Sequence, residues 1–175
     1  MTKRALGIAI IVPIGIALVW AGGWIYVLGA SAILGIAAWE YAHLFRQSKF
    51  SAHKYFLIAA TVICAISRFI WGGIYFEPIF TFAFLINIFI GLRSYEEDEG
   101  NGFITMGLEL VGLLFIAYLG SYLIPLRFLP DGKMWILLAI PSIGCGDIGA
   151  FLIGSKFGRH KLAPQVSPNK TMEGY

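Results

Sequence analysis

Charge is scarce in this chain. Asp, Glu, Lys and Arg make up 13% of it against 58% hydrophobic residues, where a soluble domain carries roughly 25% charged residues. Cysteine is scarcer still. Cys64 and Cys145 both lie inside apolar runs, which excludes a disulfide framework and a cysteine metal cluster and leaves both as packing residues. Excess positive charge is missing too. The formal net charge is +3 and dispersed, so no nucleic-acid partner is expected. No internal repeat is present.

What the chain has instead is long apolar runs. Its mean hydropathy is +0.78, and stretches of about twenty apolar residues match the thickness of a bilayer's hydrocarbon core. The start, "MTKR" followed by "ALGIAIIVPIGIALVW", has the basic and apolar regions of a signal peptide. The apolar stretch continues, however, through "AGGWIYVLGASAILGIAAW" with only a Gly-Gly turn between. That pattern reads as a helical hairpin, not a cleaved leader. Further spans are expected at roughly Phe56 to Gly73, Phe76 to Leu92, Phe103 to Phe128 and Met134 to Gly154. The expected fold is therefore an all-α polytopic integral membrane protein of about six transmembrane helices with a polar C-terminal segment. Residues 1–154 form the membrane domain and residues 155–175 an interfacial segment. Pro13, Pro125 and Pro141 mark bends that neighbouring helices can accommodate.

Lys and Arg are distributed unevenly between the two sides of such a bundle. On one side fall Lys3, Arg4, Arg46, Lys49, Lys54, Arg93, Lys156, Arg159, Lys161 and Lys170; on the other, Arg127 and Lys133. Basic residues resist translocation, so both termini are expected in the cytoplasm of a multi-pass cell-membrane protein. The acidic loop "EEDEGNG" joins them there as a solvated connector.

Ionisable residues inside apolar runs must face protein, water or an interface. Glu40, between Trp39 and Tyr41, reads as an interfacial anchor. Arg68, near a helix end beside Trp71, reads as a snorkelling cation. Glu109 leaves two readings open, protonated or paired inside the bundle, or catalytic. Asp147 lies in "PSIGCGDIGAFLIG", among small residues that permit close helix packing or close approach of a ligand. It is either an interhelical hydrogen-bonding residue or a cation ligand. The sequence after it, "SKFGRHKLAP" and then "QVSPNKTMEG", adds cations and hydroxyls at the same interface. A carboxylate able to hold a divalent cation, followed by such groups, suits phosphate chemistry at a membrane surface.

The stretch "GDIGAFLIGSKFGRHKLAPQVSPNKTMEG" closely resembles the central motif of the phosphatidate cytidylyltransferases, or CDP-diacylglycerol synthases. The matching positions are Asp147, Ala150, Phe151, Gly154, Phe157, Gly158, Leu162, Pro164, Ser167, Pro168, Lys170, Thr171, Glu173 and Gly174. So long a composite match is far more specific than a lone glycine pattern.

The resemblance implies transfer of a cytidylyl group from CTP to phosphatidic acid, giving CDP-diacylglycerol and pyrophosphate, with Mg²⁺ or another divalent cation as cofactor. It implies Asp147 as metal ligand and, with Lys170, as a catalytic residue. Ser167, Lys170, Thr171 and Lys161 are the implied substrate-binding residues. Glu173 either caps a following helix or orients Lys170. The family's second signature, with its Lys-Asp pair and Asp-Arg-x-Asp ending, is not in this sequence. The expectation is therefore an incomplete, truncated or split enzyme, inactive alone, completed by another chain or a homo-oligomeric partner. The alternatives are a membrane transporter, which would not need the Ser-Pro-x-Lys-Thr stretch, a non-catalytic membrane subunit, and a CTP-using lipid kinase.

Overall fold

A computed structural model describes residues 2–45, 52–97, 101–165 and 167–175. The helices are α1 (Thr2–Ala21), α2 (Gly23–Leu44), α3 (Lys54–Trp71), α4 (Phe76–Glu97), α5 (Asn101–Gly112), α6 (Leu123–Phe128) and α7 (Gly132–Phe157). Between α5 and α6 the chain winds as a π-helix over Leu113–Leu119 and a 3₁₀ turn over Gly120–Tyr122. Two short strands, β1 (Lys161–Ala163) and β2 (Ser167–Thr171), and a 3₁₀ turn at Met172–Gly174 follow α7. Two compact units result, Met1–Lys133 and Met134–Tyr175.

Among the described residues, five stretches are long and apolar enough to cross a membrane: Gly23–Leu44, Lys54–Trp71, Phe76–Glu96, Gly102–Phe128 and Gly132–Phe157. A shorter apolar stretch, Val12–Ala21, stands where the sequence places the first span. The fold is that of an all-α, multi-pass membrane protein, with a small β-hairpin that the sequence reading did not anticipate.

In the first unit α2 packs along α3 and α4 along α5. The core where they meet is built from Ala38, Ala42, Ala60, Ala83 and Ala117 with Cys64, around the larger Leu57, Phe76 and Leu113. Small side chains let helix backbones approach closely, which compensates for the weak drive to associate in lipid. Cys64 is fully buried there, as a packing residue should be. Cys145, by contrast, lies exposed on α7.

The turn between α1 and α2 is the expected Gly-Gly pair. Gly22 and Gly23 have φ of 64° and 53°, a left-handed conformation that a Cβ makes costly. Gly22 also has a neighbour: a Cβ there would fall 2.9 Å from a terminal nitrogen of Arg127. Arg127 Nε donates to the carbonyl of Val19 at 2.7 Å, tying α6 to the end of α1.

Candidate active-site segment at the end of α7

The polar ending is a hairpin folded back on the helix that precedes it. Gly158 donates its N–H to the carbonyl of Gly154 at 3.1 Å, and the chain then turns through Arg159 and His160 into β1. Strand β1 pairs antiparallel with β2, Lys161 opposite Thr171 and Ala163 opposite Ser167. Between those pairs β1 advances two residues and β2 four. Strand β2 must therefore bulge, at Pro168, Asn169 and Lys170. Pro168 suits a bulge because it has no N–H to offer a ladder, and a bulge re-aims the side chains it carries. Lys170 is exposed and, among the described residues, without an ion-pair or hydrogen-bond partner.

Three glycines set how closely the hairpin meets α7. A Cβ on Gly158 would lie 2.2 Å from the carbonyl oxygen of Gly154 and 2.6 Å from Cγ2 of Thr171. One on Gly174 would lie 2.6 Å from the carbonyl oxygen of Ala150, and one on Gly154 would lie 3.0 Å from the Thr171 hydroxyl. Real Cβ atoms do not approach backbone as closely as at Gly158 and Gly174, so those two positions admit hydrogen alone, whereas at Gly154 the Thr171 hydroxyl would have to give way by a few tenths of an ångström. Ala150, Gly154 and Gly158 recur at the spacing of one helical face. Asp147 lies one turn further along that face, about 4.5 Å of rise before Ala150. Its carboxylate is exposed and, among the described residues, unpartnered.

The other site residues of the sequence reading take distinct places. Ser167 is half-buried at the start of β2. Lys161 is exposed, and its Nζ donates to the carbonyl of Pro168 at 2.6 Å, spanning the hairpin at the bulge. Thr171 is buried between Gly154 and Gly158, and its hydroxyl has no hydrogen-bond partner among the described residues. Glu173 neither caps a helix nor touches Lys170. Its carboxylate takes the N–H of Arg159 at 3.0 Å and of His160 at 3.2 Å, and Nδ1 of His160 lies 2.7 Å away. The Arg159 amide foremost, then Glu173's own backbone amide and the His160 ring, hold the Glu173 carboxyl down at about 2.

The model of the Cytidylyltransferase family matches residues 2–175 of this chain. The chain belongs to that family. Relatives named phosphatidate cytidylyltransferase include one from Thermotoga maritima, 26% identical over 146 residues, which are 82% of this chain and 52% of the relative. Another, from Bacillus subtilis, is 39% identical over 84 residues, covering 47% of this chain and 29% of the relative. A third, from Staphylococcus saprophyticus, is 42% identical over 87 residues, covering 48% of this chain and 32% of the relative. The matches thus span about half, or less, of each relative's own length.

Two further polar clusters lie in the first unit of this cytidylyltransferase-family chain. Glu109 is fully buried and hydrogen-bonded inside the bundle. Its Oε1 accepts from the backbone N–H of His53 and lies 2.8 Å from Nδ1 of the same residue, while Oε2 accepts from Asn87 Nδ2 at 2.8 Å. Arg68 does not snorkel. It is buried, with Nε donating to Ser121 Oγ at 2.7 Å and the guanidinium held between the rings of Phe76, at 3.4 Å, and Tyr122, at 3.8 Å. The partners Ser121 and Tyr122 lie more than fifty residues away in sequence, beyond the reach of any local pattern. Glu40, expected as an anchor, is exposed beside Trp39, whose ring stacks on that of His43.

Proposed function

We propose that this chain supplies the membrane core and one phosphate-binding wall of a phosphatidate cytidylyltransferase. A phosphate oxygen of phosphatidic acid attacks the α-phosphorus of CTP. The new bond gives CDP-diacylglycerol, and the bond from the α-phosphorus to the β-phosphate oxygen breaks to release pyrophosphate. The lipid phosphate is the nucleophile, so no side-chain nucleophile is needed. The chain's own work is to bind, orient and neutralise.

The observation that carries this reading is the seating of the family's signature hairpin on the face of α7 that bears Asp147. Helix α7 has 26 residues, about 39 Å at 1.5 Å per residue. The hydrocarbon core is about 30 Å thick, so the end carrying Gly154 and Gly158 can stand at the headgroup level. A lipid phosphate resides there while its acyl chains stay in the bilayer. Lys170, on the bulge, is placed to stabilise charge on the phosphates, with Ser167 a hydroxyl donor nearby in the same strand. Lys161 holds the bulge and keeps further donors for an anion.

The donor set at Asp147 fits a divalent cation as one ligand. No group of three or more His, Cys, Asp or Glu side chains suited to a metal occurs among the described residues, but Mg²⁺ commonly takes one or two carboxylates and completes its shell with substrate phosphates and water. Bound there, the ion would supply neutralisation of the triphosphate. Further carboxylates are expected from the rest of a longer enzyme, whether in the same chain, another chain or a homo-oligomeric partner. The concentration of Lys and Arg in alternate loops supports putting both termini on the cytoplasmic side of the cell membrane, where CTP is found; labelling of Asn169→Cys from outside intact cells would overturn that.

The test uses an enzyme completed with the remaining half of the family. Asp147→Asn and Lys170→Ala should each lower transfer of label from CTP to phosphatidic acid by about a hundredfold. The chain as given should make no detectable product. Unchanged turnover in both variants, with normal membrane insertion, would reject the proposal.

A further inference from the structure

Glu173 hydrogen-bonds to Arg159 and His160, neither of which the proposed chemistry uses. We infer that Glu173 is the positioning residue of this site, clamping the Arg159–His160 turn to the strand that carries Lys170. The inference rests on the cytidylyl-transfer reading of the segment.

The helical ladder of α7 closes with the Gly158 N–H on the Gly154 carbonyl, and the next two amides, Arg159 and His160, turn to Glu173. Glu173 takes both: Oε2 accepts from Arg159 at 3.0 Å and from His160 at 3.3 Å, and Oε1 accepts from His160 at 3.2 Å, with His160 Nδ1 at 2.7 Å from Oε1. The backbone closes the same gap from the other side, Met172 N–H donating to the His160 carbonyl at 2.9 Å. Thr171, between Lys170 and this clamp, is locked against Gly154 and Gly158. The end of β2 is therefore fixed to α7 at Thr171, His160 and Glu173. Its bulge is left to reach outward. Lys170 is one residue from the fixed end, so its place relative to Asp147 depends on that clamp. A side chain that binds amides in this way, with the imidazole of His160 as a third donor, is consistent with its carboxylate staying ionised.

The experiment is a double-mutant cycle in the completed enzyme, with CTP and phosphatidic acid as substrates. Glu173→Ala should lower kcat at least about tenfold, while Glu173→Gln, whose carbonyl oxygen can still accept both amides, should stay within about fivefold of the parent. In a Lys170→Ala background the Glu173→Ala loss should shrink to within about threefold, because a residue acting through Lys170 has nothing left to position. Full, multiplicative losses would overturn the inference, as would parental kcat in Glu173→Ala when Lys170→Ala is impaired. A silent Lys170→Ala overturns this inference, because nothing would then act through Lys170; the cytidylyl reading falls only if Asp147→Asn is silent as well. Hydrogen exchange supplies a readout independent of turnover. The Arg159 and His160 amides should exchange at least about tenfold faster without the carboxylate, and unchanged protection there overturns the clamp. If Glu173→Ala does not insert, Glu173→Asp, one methylene too short to reach both amides, takes its place with the same expectations.

Discussion

The guanidinium of Arg68 lies 3.4 Å from the ring centroid of Phe76, eight residues on, across the α3–α4 turn. A second ring, Tyr122, faces it at 3.8 Å, and Ser121 takes its Nε hydrogen. A desolvated cation–π contact is worth about 2 kcal/mol, and lysine offers neither the flat face nor the fork of donors. Arg68→Lys should therefore lower the thermal midpoint of the detergent-solubilised protein. A midpoint equal to the parent's would mean that charge alone holds this junction.

Glu109 should be more costly to remove than its exposed partner. Three donors converge on its fully buried carboxylate, whereas the His53 side chain is 48% exposed. Glu109→Ala orphans Asn87 Nδ2 and the His53 amide together, a loss on the order of 3 kcal/mol for a broken buried network. His53→Ala keeps the backbone N–H donor, so its midpoint should fall less. Denaturation of both variants in the same detergent gives the order, and the reverse order would show that the imidazole dominates.

These two clusters mark where sequence reading stopped. Hydropathy and length place the spans because lipid demands about twenty apolar residues whatever the neighbours are. The Gly22–Gly23 turn was legible for a similar reason: two successive left-handed residues are a local requirement. Arg68 was misread because a linear count sees a cation near a helix end and not the ring of Tyr122 fifty-four positions away. The π-helix at Leu113–Leu119 has no compositional mark in an all-apolar run. The hairpin was hidden because β2, "SPNKT", shows no alternation and contains a proline and a bulge. Within the site, residue types were legible and roles were not. Lys161 and Glu173 look alike as charged motif residues, yet one bridges the bulge and the other clamps the turn.

The glycines of α7 should separate into two kinds. Gly158→Ala places a Cβ 2.2 Å from the Gly154 carbonyl oxygen, whereas Gly149 has nothing within 4 Å. Limited proteolysis of membrane vesicles should cut the hairpin of Gly158→Ala faster than the parent's and leave Gly149→Ala at the parent's rate. Equal protection of the Gly158 variant would show that the hairpin is not seated by this contact.

The Glu173 clamp should have an acid limit. Its carboxyl is lowered from an ordinary 4.5 to about 2 by the Arg159 amide, then by its own backbone amide and the His160 ring, with the His160 amide adding least. A depressed carboxyl stabilises the hairpin fully above its unfolded value and loses that contribution as pH falls toward the folded one. Protection of the Arg159 and His160 amides, corrected for intrinsic exchange, should hold down to pH 4.5 and decline between there and 2. Glu173→Gln removes the titrating group, and its protection should be flat over that window. A parent profile that declines near neutral pH would assign the change to another group.

Thr171→Val separates packing from chemistry at the motif's most buried hydroxyl. Thr171 is 8% exposed, and its Oγ1, facing Gly154 and Gly158, has no hydrogen-bond partner among the described residues. Valine has nearly the same shape, so the seat on α7 survives, and deleting an unsatisfied buried hydroxyl removes a desolvation cost instead of a bond. Hairpin protection in Thr171→Val should equal or exceed the parent's. Turnover in the completed enzyme should stay within about threefold if the side chain acts by filling the glycine cradle, since no transition-state donor has been lost. A fall of about a hundredfold with protection intact would give the hydroxyl to the substrate phosphate, as the motif alone implied. The burial of Oγ1 against α7 favours the first outcome, because a donor to CTP would have to leave the cradle before it could reach an anion.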